Sequence, residues 1–228
     1  MKNFKKIVCI TDDGSSSIFL PELNEYYHSK YGAISESMHV FVKNGLSFWK
    51  KLNPKKKSCN IFEIGFGSGL NTFLTYKKSK SISDVNFYYS SIEAYPLEVS
   101  EIAKLNYDQN SHAKTSMFNV IHESEWNLSV QISKNFTLKK INSEIQNFEI
   151  CFNTDLIYFD AFCHRVQPEL WSNEVIKPIV NSMSKSSVFV TFSSMNSLYY
   201  MLKDLRLEVE KIPGPNYKKK MIRAFKKF

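Results

Sequence analysis

From residue 59 onward, short apolar runs alternate with segments whose apolar residues recur at helical spacing. The runs are too short for buried helices and have the length of strands, whereas the intervening segments fit amphipathic helices. Strands that alternate with helices indicate an α/β fold with a mostly parallel, doubly wound sheet. Strands are predicted at 60–64, 85–93, 156–159 and 188–192, and helices at 70–78, 97–105, 170–183 and 196–205.

The two ends of the chain have a different pattern. Near the N-terminus, residues 6–11 and 17–20 flank a turn signal and predict a small β element, followed by a helix from Ser35. Near the C-terminus, residues 207–212 and 219–225 flank a Pro-Gly-Pro turn and predict an antiparallel hairpin. We therefore expect an N-terminal appendage, 1–58, packed on a main domain, 59–228. The middle is harder to interpret, with a helix predicted at 126–132 and a strand at 136–141.

Three of the seven glycines lie in one stretch, at Gly65, Gly67 and Gly69, between a predicted strand and a predicted helix. Such a turn exposes backbone N–H groups at a helix N-terminus and lets a nucleotide-like ligand approach closely. The dinucleotide fingerprint G-x-G-x-x-G does not fit, because Leu70 occupies the place of its third glycine. With Glu63 the pattern becomes E-x-G-x-G-x-G, which is that of class I methyltransferases. The alternative is a glycine-rich turn without a ligand.

Two further acids follow predicted strands. Glu93 stands 24 residues after Gly69, where a carboxylate can accept hydrogen bonds from both hydroxyls of an adenosine ribose. Asp160 ends the apolar run 156–159, at the sheet edge where α/β folds bind ligands, and a carboxylate there can orient and deprotonate an attacking amine. The alternatives are a solvated strand-end acid for Glu93 and a helix N-cap for Asp160.

The formal charge of +8 suits a polyanionic partner, although biased nucleotide composition would also enrich lysine. Six basic residues within 218–227 either follow RNA phosphates or protect a solvated edge strand. The four cysteines form no C-x-x-C pair, which indicates reduced thiols in a cytoplasmic protein without a metal site. No apolar run approaches the ~20 residues of a membrane span.

Several separated motifs together resemble the family that methylates the precursor of 5-methylaminomethyl-2-thiouridine in tRNA. The resemblance is to its stand-alone MnmD-like form, which corresponds to the methyltransferase domain of MnmC. The resemblance covers nearly the whole chain. The motifs that carry it are Asp13-Gly14-Ser15, Tyr27-His28-Ser29, the segment 32–41 with its Glu36-Ser37-Met38-His39-Val40-Phe41, the glycine stretch 63–71, Glu93-Ala94-Tyr95-Pro96-Leu97, Asp160-Ala161-Phe162 and Gln167-Pro168-Glu169-Leu170-Trp171. The chain departs from the family pattern at Ser143-Glu144 and Cys163-His164.

The resemblance implies a Rossmann-like class I fold and S-adenosylmethionine as the cofactor. It implies methylation of the exocyclic amine of 5-aminomethyl-(2-thio)uridine at the wobble position, with the tRNA anticodon region as partner and a separate enzyme complex supplying the aminomethyl group. The implied cofactor residues are Glu36, Glu63, Gly65, Phe66, Gly67, Gly69, Asn71, Glu93, Ala94 and Asp160. Asp160 would also be catalytic, and Phe162, Lys218, Lys219, Lys220 and Arg223 would contact the RNA.

Other interpretations stay open at this point. The chain could be a class I methyltransferase with a small-molecule or protein substrate, or a non-catalytic RNA-binding relative. His164 is a weaker candidate for a general base, because the family has no histidine there. Trp171 is assigned to the core in preference to base stacking.

Overall fold

The computed structural model describes residues 4–108, 116–215 and 217–227. Within these ranges an eight-stranded sheet has the order β10-β11-β9-β8-β4-β5-β7-β6, and a separate antiparallel sheet has the order β1-β2-β3. The five central strands from β9 to β7 are parallel, and the strands outside them are antiparallel, which confirms the α/β class predicted from the alternation. The strands are β1 Ile7–Ile10, β2 Ser16–Leu20, β3 Glu25–Tyr26, β4 Ser58–Ile64, β5 Asn86–Glu93, β6 Ser129–Ser133, β7 Phe136–Asn142, β8 Thr154–Phe159, β9 Met183–Thr191, β10 Glu208–Ile212 and β11 Met221–Phe225.

Helices cover both faces of the large sheet, as parallel strands require. Neighbouring residues of one strand therefore pack into different cores: Ile61 of β4 belongs to one hydrophobic cluster and Phe62 to the other. β8 is buried along its whole length. The helices are α1 Ala33–Ser37, α2 Phe48–Leu52, α3 Leu70–Ser79, α4 Val99–Ile102, α5 Met117–Glu123, α6 Asn173–Asn181 and α7 Asn196–Asp204. None of the helices in these ranges is long and apolar enough to cross a membrane.

A π-helical segment, Met38–Ser47, joins α1 to α2 and lies directly on the large sheet. Gly45 makes this close approach possible, because a Cβ there would lie 2.9 Å from a ring carbon of Tyr158 and 3.0 Å from a methyl carbon of Val190. Val40, Phe41, Leu46 and Trp49 then join the same hydrophobic cluster as β4 and β8. The N-terminal region thus shares a core with the large sheet, while its separate domain status stays a prediction.

Asp13 connects the N-terminal turn to the beginning of α1. One of its carboxylate oxygens accepts hydrogen bonds from Thr11 and Ser15, and the other accepts from the backbone N–H and the hydroxyl of Ser35, at 2.9 and 2.7 Å. The N-cap of α1 is Gly32, which has no side chain to cap the helix. Asp13 supplies that cap from 22 residues away.

Three predicted elements differ from the structure. The helix at 126–132 is wrong: Asn127 has a φ of +66°, its N–H donates to Lys140 O, and residues from 129 form β6 instead. Of the helix predicted at 97–105, only α4 is helical in the structure, and a capping box formed by Glu98 and Glu101 lies at its N-terminus. The helix at 170–183 begins only at Asn173, after a 3₁₀ turn, and β9 already begins at Met183.

The C-terminal hairpin is confirmed, with β11 inserted between β9 and β10. Its turn follows Pro213, and Lys218 donates its backbone N–H to Pro215 O. His39 of the π-helical segment contacts Pro213 O at 3.0 Å. These contacts hold the turn next to the N-terminal region, on the side of the sheet where the cavity described below opens.

Candidate active site

A cavity of about 850 Å³ lies at the carboxyl ends of β4, β5 and β8. Ligands bind at this edge in open α/β sheets. The N-terminal region supplies part of the wall through residues 24–31, and the C-terminal hairpin supplies Tyr217 and Lys218. The cavity wall includes ten of the residues that the sequence predicted to be functional: Glu36, Gly65, Phe66, Gly67, Asn71, Glu93, Ala94, Asp160, Phe162 and Lys218.

The glycine stretch forms the turn between β4 and α3 and lies against the strand ends. Gly65 has a φ of +94°, and a Cβ there would lie 2.6 Å from Asp160 O, so only glycine fits without displacing the end of β8. Gly67 also has a positive φ, +49°, and its N–H donates a 2.9 Å hydrogen bond to Glu93 Oε2. The loop is therefore fixed by its two neighbouring strands, β5 and β8.

Two of the predicted cofactor residues lie behind the cavity wall. Gly69, with a φ of +72°, precedes α3 and packs against the His122 ring, which a Cβ would approach to 2.7 Å. Glu63 is fully buried; its Oε2 accepts from Ser91 at 2.6 Å and Thr72 at 3.2 Å, whereas its Oε1 has no hydrogen-bond partner within the described chain. An unpaired buried carboxylate oxygen is costly, and a cationic ligand above it would reduce that cost.

Acidic groups are concentrated on the side of the cavity formed by β4, β8 and α1. Asn71 of α3 donates a 2.8 Å hydrogen bond to Asp160 Oδ2, and its own Oδ1 is buried without a partner in the described chain. Burial raises the pKa of Glu36 and of Glu63 to about 7. Burial, together with the charges of Glu36 and Glu63, raises the pKa of Asp160 well above its ordinary value. A cation placed among these carboxyl groups would ionise them and be held by them.

Glu93 ends β5 on another side of the cavity. Its Oε1 accepts from the Tyr95 N–H at 2.9 Å, and its Oε2 from Gly67. These two hydrogen bonds fix the plane of the carboxylate and leave further lone pairs, since an ionised carboxylate has about four acceptor sites. Burial raises the pKa of Glu93. The side chain is thus positioned to accept hydrogen bonds from a diol.

Sequence reasoning missed several parts of the wall. Glu144 and Gln146 line the cavity, whereas the sequence marked Ser143-Glu144 only as a departure from the family pattern. Tyr27 and His28 are in the wall too, and burial lowers the pKa of His28 to about 4, so its imidazole is neutral at physiological pH. The signal for these two was their motif, which carried no assigned role. His164 is exposed and does not line the cavity, and Trp171 is core, with its indole N–H donating to Phe162 O.

The structure separates the basic residues of the C-terminal hairpin into three environments. Lys218 faces the cavity, where burial lowers the pKa of its ammonium and Glu36 acts in the opposite direction. Lys219 and Lys220 are exposed. Arg223 is tied to Glu210 at 2.7 Å and stacks on the Phe48 ring at 3.6 Å, so it does not reach the cavity.

No group of three or more His, Cys, Asp or Glu side chains is arranged to hold a metal ion among residues 4–108, 116–215 and 217–227. The polar groups of the site suit an organic ligand with a diol at one end and a cationic group at the other. The diol would lie near Glu93, and the cationic group would lie near Glu36 and Asp160.

Comparisons with known proteins identify this ligand class. A family model described as S-adenosyl-L-methionine-dependent methyltransferase matches residues 97–227. Among curated proteins, the chain is 26% identical over 210 residues to the tRNA 5-methylaminomethyl-2-thiouridine biosynthesis bifunctional protein MnmC of Hydrogenovibrio crunogenus, covering 87% of this chain and 31% of that protein. It is 28% identical over 209 residues to the protein of the same name from Campylobacter hominis, covering 89% and 31%.

The chain thus spans about a third of the length of these relatives. Among solved structures, MnmC2 of Aquifex aeolicus superposes with a TM-score of 0.79 at 22% identity, covering 98% of this chain and 71% of that one. That superposition supports the fold, and the family model matches more than half of the chain. The chain belongs to the S-adenosyl-L-methionine-dependent methyltransferase family.

Proposed function

We propose that this protein methylates the exocyclic primary amine of 5-aminomethyl-(2-thio)uridine at the wobble position of tRNA. The observation that carries the proposal is the pairing of Asp160 with Asn71 inside a cavity that also holds the cofactor residues. The names of the curated relatives support the nucleoside, because the MnmC proteins are named for biosynthesis of 5-methylaminomethyl-2-thiouridine in tRNA. The net charge of +8 is consistent with a polyanionic substrate.

The residues of the cavity fit S-adenosylmethionine. Glu93 would hold the two ribose hydroxyls, and Gly65 and Gly67 would leave room for the backbone to approach the cofactor. The unpaired Oε1 of Glu63 and the carboxyl of Glu36 would lie under and beside its cationic amino-acid end. Glu144 and Gln146 would flank the adenine, in the segment where the chain departs from the family pattern. When bound, the cofactor supplies a methyl group carried on a sulfonium sulfur.

The chain's own residues must deliver the acceptor amine without its proton. An alkyl ammonium has a pKa near that of lysine, about 10.4, and is almost fully protonated at neutral pH. Asp160 lies among buried groups that raise the pKa of its carboxyl, which makes its ionised form a stronger base than an exposed aspartate. The substrate ammonium entering the cavity would favour release of the Asp160 proton to the solvent. The Asp160 carboxylate would then take a proton from the ammonium and leave a neutral amine. Asn71 fixes Asp160 Oδ2 and leaves Oδ1 to face the substrate.

The cavity is large enough for both reactants, since about 850 Å³ is near the upper end of the roughly 300–1,000 Å³ found for ligand pockets. Phe162 packs edge-on against Tyr27, with ring centroids 5.2 Å apart, and offers an aromatic surface beside Asp160 for the target base. Extrusion of that base from the anticodon loop costs little, because the loop is already single-stranded. Most of the rate enhancement would then come from positioning and from exclusion of water.

Three associated proposals follow from the same assignment. The protein would act in the cytoplasm, where tRNA is modified. A separate enzyme complex would supply the aminomethyl group, as the resemblance to the stand-alone MnmD-like form implies. Residues 1–58 would form an appendage to the catalytic domain 59–228. This appendage would contribute part of the cavity wall on the side of the acceptor.

The test is incubation of the purified protein with undermodified tRNA and isotopically labelled S-adenosylmethionine, followed by nucleoside mass spectrometry. The expected product is labelled 5-methylaminomethyl-(2-thio)uridine, formed only when 5-aminomethyl-(2-thio)uridine is present. tRNA that lacks the aminomethyl group is the matched control. Cofactor binding without any labelled nucleoside would contradict the proposed substrate and favour a small-molecule or protein acceptor.

A further inference from the structure

The mouth of the cavity carries a pair of stacked tyrosines that none of the chemistry above uses. Tyr31, from the turn before α1, and Tyr217, from the C-terminal hairpin, stack with ring centroids 5.0 Å apart and planes inclined by 25°. Both line the cavity. Tyr31 is 50% exposed, so part of its ring is accessible to a ligand from the solvent.

The pair lies in the wall of the cavity that also contains Asp160. Lys218, adjacent to Tyr217, faces the same cavity, where the charge of Glu36 acts on its ammonium and also on Asp160. Because Tyr31 is half exposed, the pair offers an aromatic surface between the solvent and the cavity that holds Asp160.

The surroundings of the pair suit a nucleic-acid strand. The Lys30 ammonium lies 5.2 Å from the centroid of the Tyr31 ring, and the Lys218 ammonium lies 4.6 Å from that of Phe192. The Tyr217 hydroxyl is buried and has no hydrogen-bond partner within the described chain. Aromatic platforms interleaved with basic side chains are the usual arrangement for binding single-stranded nucleic acid, because every base has a π-face and every linkage a negative charge.

We propose that the Tyr31–Tyr217 pair is a stacking platform for the nucleobase next to the target nucleotide, and that it holds the anticodon loop while the target base is in the cavity. The flanking base stacks on the open face of Tyr31. Lys30, which is exposed and only loosely held over that ring, moves to the adjoining phosphate. This inference rests on the proposed function and adds to it a recognition site for a second nucleotide.

A platform of this kind has a specific kinetic consequence. It adds affinity for a polynucleotide and none for an isolated nucleoside, because the nucleoside has no flanking base to stack. Removal of one stacking aromatic typically weakens single-strand binding by roughly five- to 100-fold. The cofactor residues do not include either tyrosine, so affinity for S-adenosylmethionine should be unaffected.

The experiment compares Tyr31→Ala, Tyr217→Ala and Tyr31→Phe with the wild-type protein. A fluorescently labelled anticodon stem-loop RNA measures binding by anisotropy, independently of turnover, and calorimetry with S-adenosylmethionine reports folding and cofactor binding. Tyr200→Ala is the matched control, since Tyr200 is 61% exposed and does not line the cavity. We expect both cavity alanine variants to raise the Kd for the stem-loop about tenfold or more, and Tyr31→Phe and Tyr200→Ala to leave it unchanged.

Turnover with the stem-loop and with the isolated 5-aminomethyluridine nucleoside separates this inference from the proposed function. The alanine variants should raise KM for the stem-loop and leave kcat/KM for the nucleoside as it is. Unchanged stem-loop affinity in Tyr31→Ala and Tyr217→Ala would overturn the platform even if the wild-type protein methylates tRNA. If the wild-type protein methylated neither substrate, the proposed function would fail, and the anisotropy series would still decide whether the tyrosines bind RNA.

Discussion

The side-chain amide of Asn71 donates a 2.8 Å hydrogen bond to Asp160 Oδ2, and so joins the first helix after the glycine turn to the end of β8. Asn71 lies in the first turn of α3, and Asp160 is the first residue beyond the strand. The bond fixes the orientation of a half-buried carboxyl that has no other hydrogen-bond donor among the described side chains. In the proposed reaction, this orientation decides which oxygen faces the acceptor amine.

Replacement of Asp160 by asparagine should keep the fold and remove most turnover. The introduced amide can still accept the hydrogen bond from Asn71, and turnover is compared at saturating S-adenosylmethionine because Asp160 also borders the proposed place of the cofactor's cationic end. The amide cannot take a proton, and loss of a general base typically lowers kcat by about 10²–10⁴-fold. Single-turnover methylation of undermodified tRNA measures the effect. His164→Ala is a control that should keep full activity, because His164 is exposed and outside the cavity wall.

Affinity for the cofactor should increase as the pH rises through about 7. Burial raises the pKa of Glu36 and of Glu63 to about 7 in the unliganded protein, so both are largely protonated at pH 6 and largely ionised at pH 8. A cationic ligand binds the ionised forms preferentially, and each coupled group contributes up to about tenfold in affinity between these pH values. Calorimetric titrations between pH 6 and 8 should therefore show a falling Kd and a release of protons on binding.

Glu63→Gln is the matched variant for that pH dependence. The introduced glutamine can keep an acceptor for Ser91 and Thr72 but does not titrate, so the pH profile should become flatter. The amino group of S-adenosylmethionine titrates in the same way with the variant and with the wild type. Its contribution to the pH dependence of the Kd is therefore the same in both profiles. Identical pH profiles for the variant and the wild type would contradict a role for Glu63 in holding the cationic end of the ligand.

Asp13→Ala should destabilise the protein by roughly 1–3 kcal/mol, through the loss of a helix cap and of hydrogen bonds within the N-terminal turn. Although burial acts against ionisation, hydrogen bonds from Ser15 and Ser35 lower the pKa of Asp13 to about 2. A lowered folded-state pKa gives stability that is present above the unfolded-state pKa, near 4, and is lost as the pH falls toward 2. Urea unfolding at pH 7 measures the free energy of unfolding.

Asp12→Ala is the natural control for this change, since Asp12 is exposed like its neighbour Asp13 but its side chain has no hydrogen bond in the described structure. The two variants should differ clearly at pH 7 and converge near pH 2. Equal stability of the two at pH 7 would show that the contact with Ser35 does not stabilise α1.

Exposed lysines of the C-terminal hairpin should differ from Arg223 in their effect on RNA binding. Removal of the Lys219 and Lys220 charges should weaken tRNA binding for all sequences and reduce the slope of log K against log salt by about one unit for each phosphate that is no longer neutralised. Arg223→Ala should instead lower stability, because Arg223 pairs with Glu210 and covers Phe48. Filter binding at several salt concentrations, with thermal unfolding of each variant, distinguishes the two effects. An unchanged salt slope in the double lysine variant would exclude a role for these two lysines in binding phosphates.

Sequence patterns predicted the centre of the fold because the relevant signals are local. An apolar strand, a glycine turn and a helix succeed one another within 59–79, the acid at 93 ends its strand, and the acid at 160 directly follows its strand. The errors occur where distant partners decide. A helix is predicted at 126–132, yet Asn127 donates to Lys140 O and the chain from Ser129 pairs with β7.

The same reason explains the incomplete prediction of the site. The cap that Asp13 provides depends on a residue 22 positions away, and the stack of Tyr31 on Tyr217 joins residues 186 positions apart in a contact that no local pattern encodes. Arg223 illustrates the opposite case. Its place in a basic run predicted RNA contact, whereas the strand register puts it opposite Glu210. Charge along the sequence does not reveal which cations are already paired in the fold.

The contribution of both chain ends to one cavity wall has a consequence for synthesis. Strands β4, β5 and β8 and the glycine turn can associate once the chain has been made as far as β8, and the cofactor residues would then be in place. Lys218 and the pair of Tyr31 and Tyr217 require the β10–β11 hairpin, which folds against residues that precede it by more than 170 positions. Because domains form as the chain leaves the ribosome, a nascent chain would gain its proposed cofactor site before its proposed acceptor site, and the proposed contact with RNA would wait for the hairpin.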